Sequence, residues 1–308
     1  MLSKFTVKST LAEKLTKDSF VAIEPIYSDE TIEYLNTKFD QLFLQQNQSR
    51  RYVDALDMLN LGVLYDVFNP SLISLIYKLM PNPILYHCHS YEIDGKSQKS
   101  HIAGDNFLDG WHRDIDCIHD FEKGGIQHIS LFVYLTDVGA NDGAFEVCTK
   151  KLGYLPRLFK SSKFYSITGK RGHSFLFNRT AFHRASPNKN NNYRRVLKIS
   201  FQDKNTSSIK LNEKIKSHKK RFNLQKVRDS VPKENVIIRS LFGDEKVNNE
   251  ELRRAIESKN LSSINYAFIP ESTFEIKYSM SLLKEFRGAA RDLMYLKKMM
   301  YSKKIKCR

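Results

Sequence analysis

Trp111-His112-Arg113-Asp114 is the densest cluster of chemistry in the chain. About seventy residues later it is answered by Phe182-His183-Arg184-Ala185-Ser186-Pro187-Asn188, then Tyr193-Arg194-Arg195. Two imidazoles and a carboxylate are the ligand set of a mononuclear Fe(II) oxygenase. They cover one face of an octahedral metal and leave the opposite face open for an oxo acid and dioxygen. Positions i and i+2 of a strand project to one side, so His112 and Asp114 can grip one ion from a short segment. Asp116 would share that side, as a partner of the ligands or a solvated neighbour. A cation about eleven residues past His183 is well placed to hold the far carboxylate of a bound dicarboxylate by paired hydrogen bonds. His112, Asp114 and His183 are therefore the expected metal ligands and catalytic residues.

The elements that must carry these residues fall into three regions. Phe20-Val21-Ala22-Ile23 reads as a short strand. Ser28 then caps a helix whose first turn holds Asp29 and Glu30 near the positive end of the dipole, with Ile32, Leu35, Phe39, Leu42 and Phe43 at helical spacing. A second helical stretch runs near Asn69 to Met80 and is closed by Pro81-Asn82-Pro83. From about residue 84 to 203 the pattern turns to strands: Ile84 to Ile93, Ile129 to Leu135, Ala144 to Cys148, Ser174 to Phe177 and Val196 to Phe201, with turn residues between them. Short strands so punctuated predict a sandwich or barrel of the jelly-roll kind. From about 204 to the end the chain is basic and mostly helical. Lys214 to Arg228 is a charge run with few large apolar residues, expected as a solvated helix or linker. Leu282, Leu283, Phe286, Ala290, Leu293, Leu296 and Met300 form an apolar stripe flanked by lysines and arginines.

Composition bounds the reading. The 308 residues, 41% apolar, suit one elaborated domain or two modest ones with a proper core. No stretch approaches the length of apolar residues that spans a bilayer, and the first residues carry no secretory pattern. Four scattered cysteines read as reduced thiols of a cytoplasmic protein rather than a zinc or disulfide framework. Lysine and arginine outnumber acids 50 to 34, a formal charge of +16, which favours an anionic partner.

The motifs together resemble the phytanoyl-CoA dioxygenase family of Fe(II)- and 2-oxoglutarate-dependent oxygenases over about residues 18 to 203. Trp111-His112-Arg113-Asp114 is similar to the family's HxD segment. Asn141-Asp142-Gly143-Ala144-Phe145 is similar to its NGxL strand, and His183 to Asn188 with Tyr193-Arg194 to its closing motif. After the NGxL-like strand the chain reads Cys148-Thr149-Lys150-Lys151-Leu152 where the family often has PGSHK. The family's cosubstrate-binding hydroxyl falls two residues past the distal histidine, which is Ala185 here, with Ser186 one further on.

The resemblance implies an α+β, mainly β core: a double-stranded β-helix (jelly-roll, cupin-like) with N-terminal helices packed on it. This dioxygenase domain would occupy residues 1–203, with helices about 28–80 and strands about 84–203, followed by a basic helical extension over 204–308. It implies Fe(II) on His112, Asp114 and His183, and 2-oxoglutarate held by Arg194 with Ser186. Dioxygen would be consumed as 2-oxoglutarate becomes succinate and CO2 and an unactivated C–H is hydroxylated. Family spacing selects Arg194. Strand alternation instead puts Arg195 beside Leu197, Ile199 and Phe201 on the more apolar face, so Arg195 stands in reserve.

The expected substrate is a small molecule or a lipid or sugar conjugate, anionic in view of the charge. The alternatives are a non-catalytic binding protein and a nucleic-acid-directed oxygenase, against which the absence of a nucleic-acid motif argues. The C-terminal stripe fits peripheral contact with an acidic membrane at its inner face, or packing on the barrel or on a second copy.

Overall fold

The computed structural model describes residues 11–15, 19–96, 128–148, 164–179, 181, 183–204 and 222–259. The expected ligands His112 and Asp114 lie outside the described residues, as do residues 205–221 and the C-terminal stripe.

Nine described strands make two antiparallel sheets. The larger has the order β1-β7-β4-β9-β3-β2, from β1 (Phe20–Ile23), β7 (Ser174–Asn178), β4 (His128–Tyr134), β9 (Arg194–Asp203), β3 (Pro83–Ile93) and β2 (Arg50–Asp54). The smaller has the order β6-β5-β8, from β6 (Phe164–Ile167), β5 (Phe145–Cys148) and β8 (His183–Ala185).

Alternation along the strands divides the apolar residues between two layers. Val21, Ile23, Leu131, Val133, Leu176, Leu197, Ile199 and Phe201 face a helical layer and share its core. Phe20, Ala22, Phe132, Tyr134, Phe175, Phe177 and Val196 face the smaller sheet and pack with its Phe145, Val147, Tyr165 and Ile167. The inner layer is aromatic: Phe145 lies 4.9 Å from Phe132, 5.3 Å from Phe175 and 4.8 Å from Phe177, ring centre to ring centre. Such offset pairs add to burial the attraction between ring edges and faces.

The helical layer starts where the caps require. In α1 (Asp29–Phe43) the Ser28 hydroxyl accepts from the Thr31 amide at 3.2 Å, and Ile32, Leu35, Phe39 and Phe43 turn to the core. Helix α2 (Ala55–Asn60) follows β2 directly through a reciprocal capping box of Asp54 and Asp57. After α3 (Leu64–Val67), α4 (Pro70–Leu79) begins with the Asn69 side chain accepting from the Leu72 amide and proline in its first turn.

The end of the charge run and the segment after it contain more structure than their composition suggests. Leu224 and Val227 are buried in α5 (Leu224–Ser230), and Ile237, Ile238 and Leu241 are buried in α6 (Val236–Leu241). All five belong to the core shared with α1 and α4. Spacing of three hid that pair among lysines. Then comes α7 (Asn249–Ser258), with exposed ion pairs from Arg253 to Glu250 and Glu257. Among the described residues no helix is long and apolar enough to cross a membrane.

Candidate functional site

His183 opens β8, an edge strand of the smaller sheet, and is buried. Its ring stacks on Phe145 at 5.3 Å and packs against Phe177 at 4.8 Å, so the imidazole stands on the aromatic inner layer. Its Nδ1 lies 3.0 Å from the Ala181 carbonyl oxygen. A carbonyl only accepts, so Nδ1 carries the proton and Nε2 presents the lone pair. Metal-binding histidines are commonly held this way, by a donor bond from the other nitrogen that fixes tautomer and ring orientation. His183 therefore fits a metal ligand.

Ten residues of β9 settle how the two arginines differ. The register pairs Tyr134 with Val196, so Arg194, two residues before Val196, falls on the inner side, and Arg195 falls on the helical side with Leu197. Arg195 is enclosed by acids: Nε and Nη2 donate to Glu92 at 2.9 and 2.5 Å, Nη2 to Asp40 at 2.6 Å and Nη1 to the Asn36 side chain at 2.9 Å. Glu92 also receives Arg51. This charge is matched, and it ties β9 to β3 and α1. The apolar side of β9 that recommended Arg195 to a pocket is the side roofed by helices; the side that faces the smaller sheet carries the fewer aliphatic residues.

Arg194 is equally buried but differently surrounded. Nη1 donates to the Gly143 carbonyl and Nη2 to the Tyr91 hydroxyl at 3.1 Å. Its Nε is buried without a hydrogen-bond partner, and no carboxylate pairs with it among the described residues. Ser186 follows β8, and its Oγ is likewise buried without a partner. Gly143 joins the two: it is bonded to Arg194, and its positive φ of 75° brings it so close that an added Cβ would lie 3.2 Å from the Ser186 carbonyl oxygen and 3.3 Å from Asn188 Cβ. A side chain there would push into the segment that carries Ser186. An unpartnered guanidinium edge near an orphaned hydroxyl fits the carboxylate end of a dicarboxylate, which accepts from both.

The structure thus places His183, Ser186 and Arg194 on adjacent segments, while His112 and Asp114 lie outside the described residues. Tyr91 was not singled out in the sequence; only the pairing of β3 with β9 reveals it, since it stands opposite Val196 and reaches Arg194.

One buried histidine and one half-buried one set an acid limit on the fold. Burial, with nearby Arg179 adding to it, pushes the His128 imidazole down to about 3, and burial pushes His173 down to about 4. Both lie below the unfolded value of about 6.5, so acid protonates the unfolded chain first. Their contribution is complete above about pH 6.5 and is lost as pH falls toward 4 and then 3. Urea midpoints measured across this range should fall with pH, and His128→Gln should flatten the slope; a flat wild-type profile would contradict it.

No family model and no curated protein matches the chain. Solved structures do. EvdMO1 is similar with a TM-score of 0.51 at 16% identity, over 64% of this chain and 50% of that one, so the match spans half of EvdMO1. AviO1 from Streptomyces viridochromogenes Tue57 is similar with a TM-score of 0.52 at 14% identity, over 65% of this chain and 97% of AviO1. More distant, at a TM-score of 0.44 and 11% identity over 63% of this chain and 86% of its own, is HygX from Streptomyces hygroscopicus, solved with nickel and 2-oxoglutarate bound. At these identities the likeness is one of fold, an antiparallel sheet-rich core with helices.

Proposed function

We propose that the protein is an Fe(II)- and 2-oxoglutarate-dependent dioxygenase with a jelly-roll core, of the phytanoyl-CoA dioxygenase kind that its motifs resemble. It hydroxylates an unactivated C–H of a small molecule or a lipid or sugar conjugate. The observation that carries this reading is Arg194, a buried cation with no acid partner among the described residues and an open Nε. A buried charge is costly until an anion meets it. The Gly143 that Arg194 bonds to closes on the Ser186 segment, three residues past a histidine whose tautomer suits a metal.

His112, Asp114 and His183 would hold the iron, which when bound supplies dioxygen activation. Arg194 receives the distal carboxylate of 2-oxoglutarate through its Nε edge, and the Ser186 hydroxyl donates to the same group. Tyr91 and the Gly143 carbonyl keep the guanidinium aimed. Phe145 and Phe177 exclude water from the His183 ring. Asp114 favours hydroxylation, because a carboxylate on the metal leaves no room for a halide.

Calorimetry on nickel-loaded protein, which binds without turning over, tests the reading. Titrated 2-oxoglutarate should give saturable binding that disappears without metal. Absence of binding with metal present would overturn the proposal.

The basic C-terminal stripe, Leu282 to Met300, belongs to the same reading as a peripheral contact with acidic lipid, each surface lysine adding about 1 kcal/mol of attraction. Full-length protein should co-sediment with phosphatidylserine vesicles at low salt, and protein ending near Ser279 should not. Equal failure of both to bind would end the membrane contact.

A further inference from the structure

The inner face of β9 beyond Arg194 carries Val196, Lys198, Ser200 and Gln202, opposite Tyr134, Phe132, Ser130 and His128 of β4. On the other side Lys198 faces His89 and Ser200 faces His87 of β3. The three strands of the smaller sheet pack on the aromatic part of this layer. The polar part lies toward β3. Two features there fit neither a packed core nor the cosubstrate site. Between Arg194 and Gln202, Lys198 alone is partly exposed; every other residue is buried. Its Nζ stands 5.4 Å above the Phe132 ring, inside the sandwich. Gln202 is buried, and its Oε1 has no hydrogen-bond partner. Such an acceptor costs stability unless a donor reaches it.

We propose that Lys198 and Gln202 are the two ends of a substrate subsite, Lys198 binding an anionic group such as phosphate and Gln202 accepting from a hydroxyl of the same molecule. This rests on the proposed function and names its substrate class: a hydroxylated anion of conjugate size. Four residues of strand separate the two positions by about 13 Å, longer than any single small anion. The middle of that span is the cross-strand row Phe177–Ser130–Ser200, and Phe177 is one of the rings on which His183 packs. A molecule held at both ends therefore runs along the same inner face that carries Phe177, two strands over, and through it His183. The Ser130 and Ser200 hydroxyls bond each other at 2.6 Å and leave that stretch without strong polar competition.

The test is thermal-shift titration of nickel- and 2-oxoglutarate-loaded protein with inorganic phosphate, glucose 6-phosphate and glucose. Wild type should be stabilised saturably by both anions, more tightly by glucose 6-phosphate, and not by glucose. Lys198→Met, which keeps the stem over Phe132, should weaken both anions on the order of tenfold or more, and Lys198→Arg should restore them in part. Gln202→Leu should weaken glucose 6-phosphate alone. The 2-oxoglutarate affinity should be unchanged in all three variants. In wild type, phosphate should also protect Lys198 from reductive methylation, a readout that needs no variant to fold. Absence of a phosphate effect in wild type, or its survival in Lys198→Met, would overturn the subsite. So would loss of 2-oxoglutarate binding in Lys198→Met, which would place the lysine in the cosubstrate site. Wild type that binds phosphate at Lys198 but never 2-oxoglutarate would refute the oxygenase reading and leave the anion site standing.

Discussion

Arg194→Ala should raise the 2-oxoglutarate requirement on the order of 10²–10⁴-fold, because a buried carboxylate loses its cation at a cost of about 3–5 kcal/mol. Saturation curves of succinate release against 2-oxoglutarate measure this directly. Stability should change little, since among the described residues the guanidinium donates only to the Gly143 carbonyl and Tyr91 and has no acid to leave stranded. Arg195→Met should behave in the opposite way. Removing that guanidinium leaves Glu92, buried beside it, short of a partner, and should destabilise the fold by about 3–5 kcal/mol while cosubstrate affinity follows only the loss of folded protein. If Arg195 variants lose cosubstrate specifically and Arg194 variants do not, the assignment is reversed.

His183→Ala should abolish iron binding and drop turnover on the order of 10²-fold or more, because two remaining ligands hold Fe(II) poorly. His112→Ala should match it. Asp114→Gly is the subtler variant: it should lose hydroxylation, and its hold on iron, left to two imidazoles, should be weakened less than in either histidine variant. Metal content after dialysis, read beside succinate formation, separates these outcomes. Full activity in either histidine variant would remove that residue from the site. The His183 cavity lies between Phe145 and Phe177, so thermal melting of each variant controls for collapse of the ring stack.

Two helices of the N-terminal half, α1 and α4, were legible because their caps are local: Ser28 and Asn69 are each followed by apolar residues at helical spacing. The long strands β3, β4 and β9 were legible from runs of β-branched and aromatic residues. The sequence did not announce β2, Arg50-Arg51-Tyr52-Val53-Asp54, because its charged residues are committed to neighbours across the sheet; Arg51, for one, joins Glu92 and Asp94. Nor did it announce β8, which is three residues long and exists through pairing with β5. Alternation on β9 correctly separated Arg194 from Arg195, yet alternation alone names no side as the pocket. Leu197, Ile199 and Phe201 are apolar because α1 and its neighbours cover them; Lys198, Ser200 and Gln202 line the face that looks into the sandwich. Long-range packing decides that, and it is not encoded in the local pattern. Gln202's orphaned oxygen and Tyr91's reach to Arg194 belong to the same class of information.

Oxygen-dependent conversion of labelled 2-oxoglutarate to succinate by the purified full chain tests the central claim most directly. With Fe(II) and air, succinate and CO2 should form together in equal amounts, faster than in the His183→Ala protein, and should stop under nitrogen or when iron is chelated. Succinate that forms equally in the His183→Ala protein, or none at all from iron-loaded wild type, would contradict it.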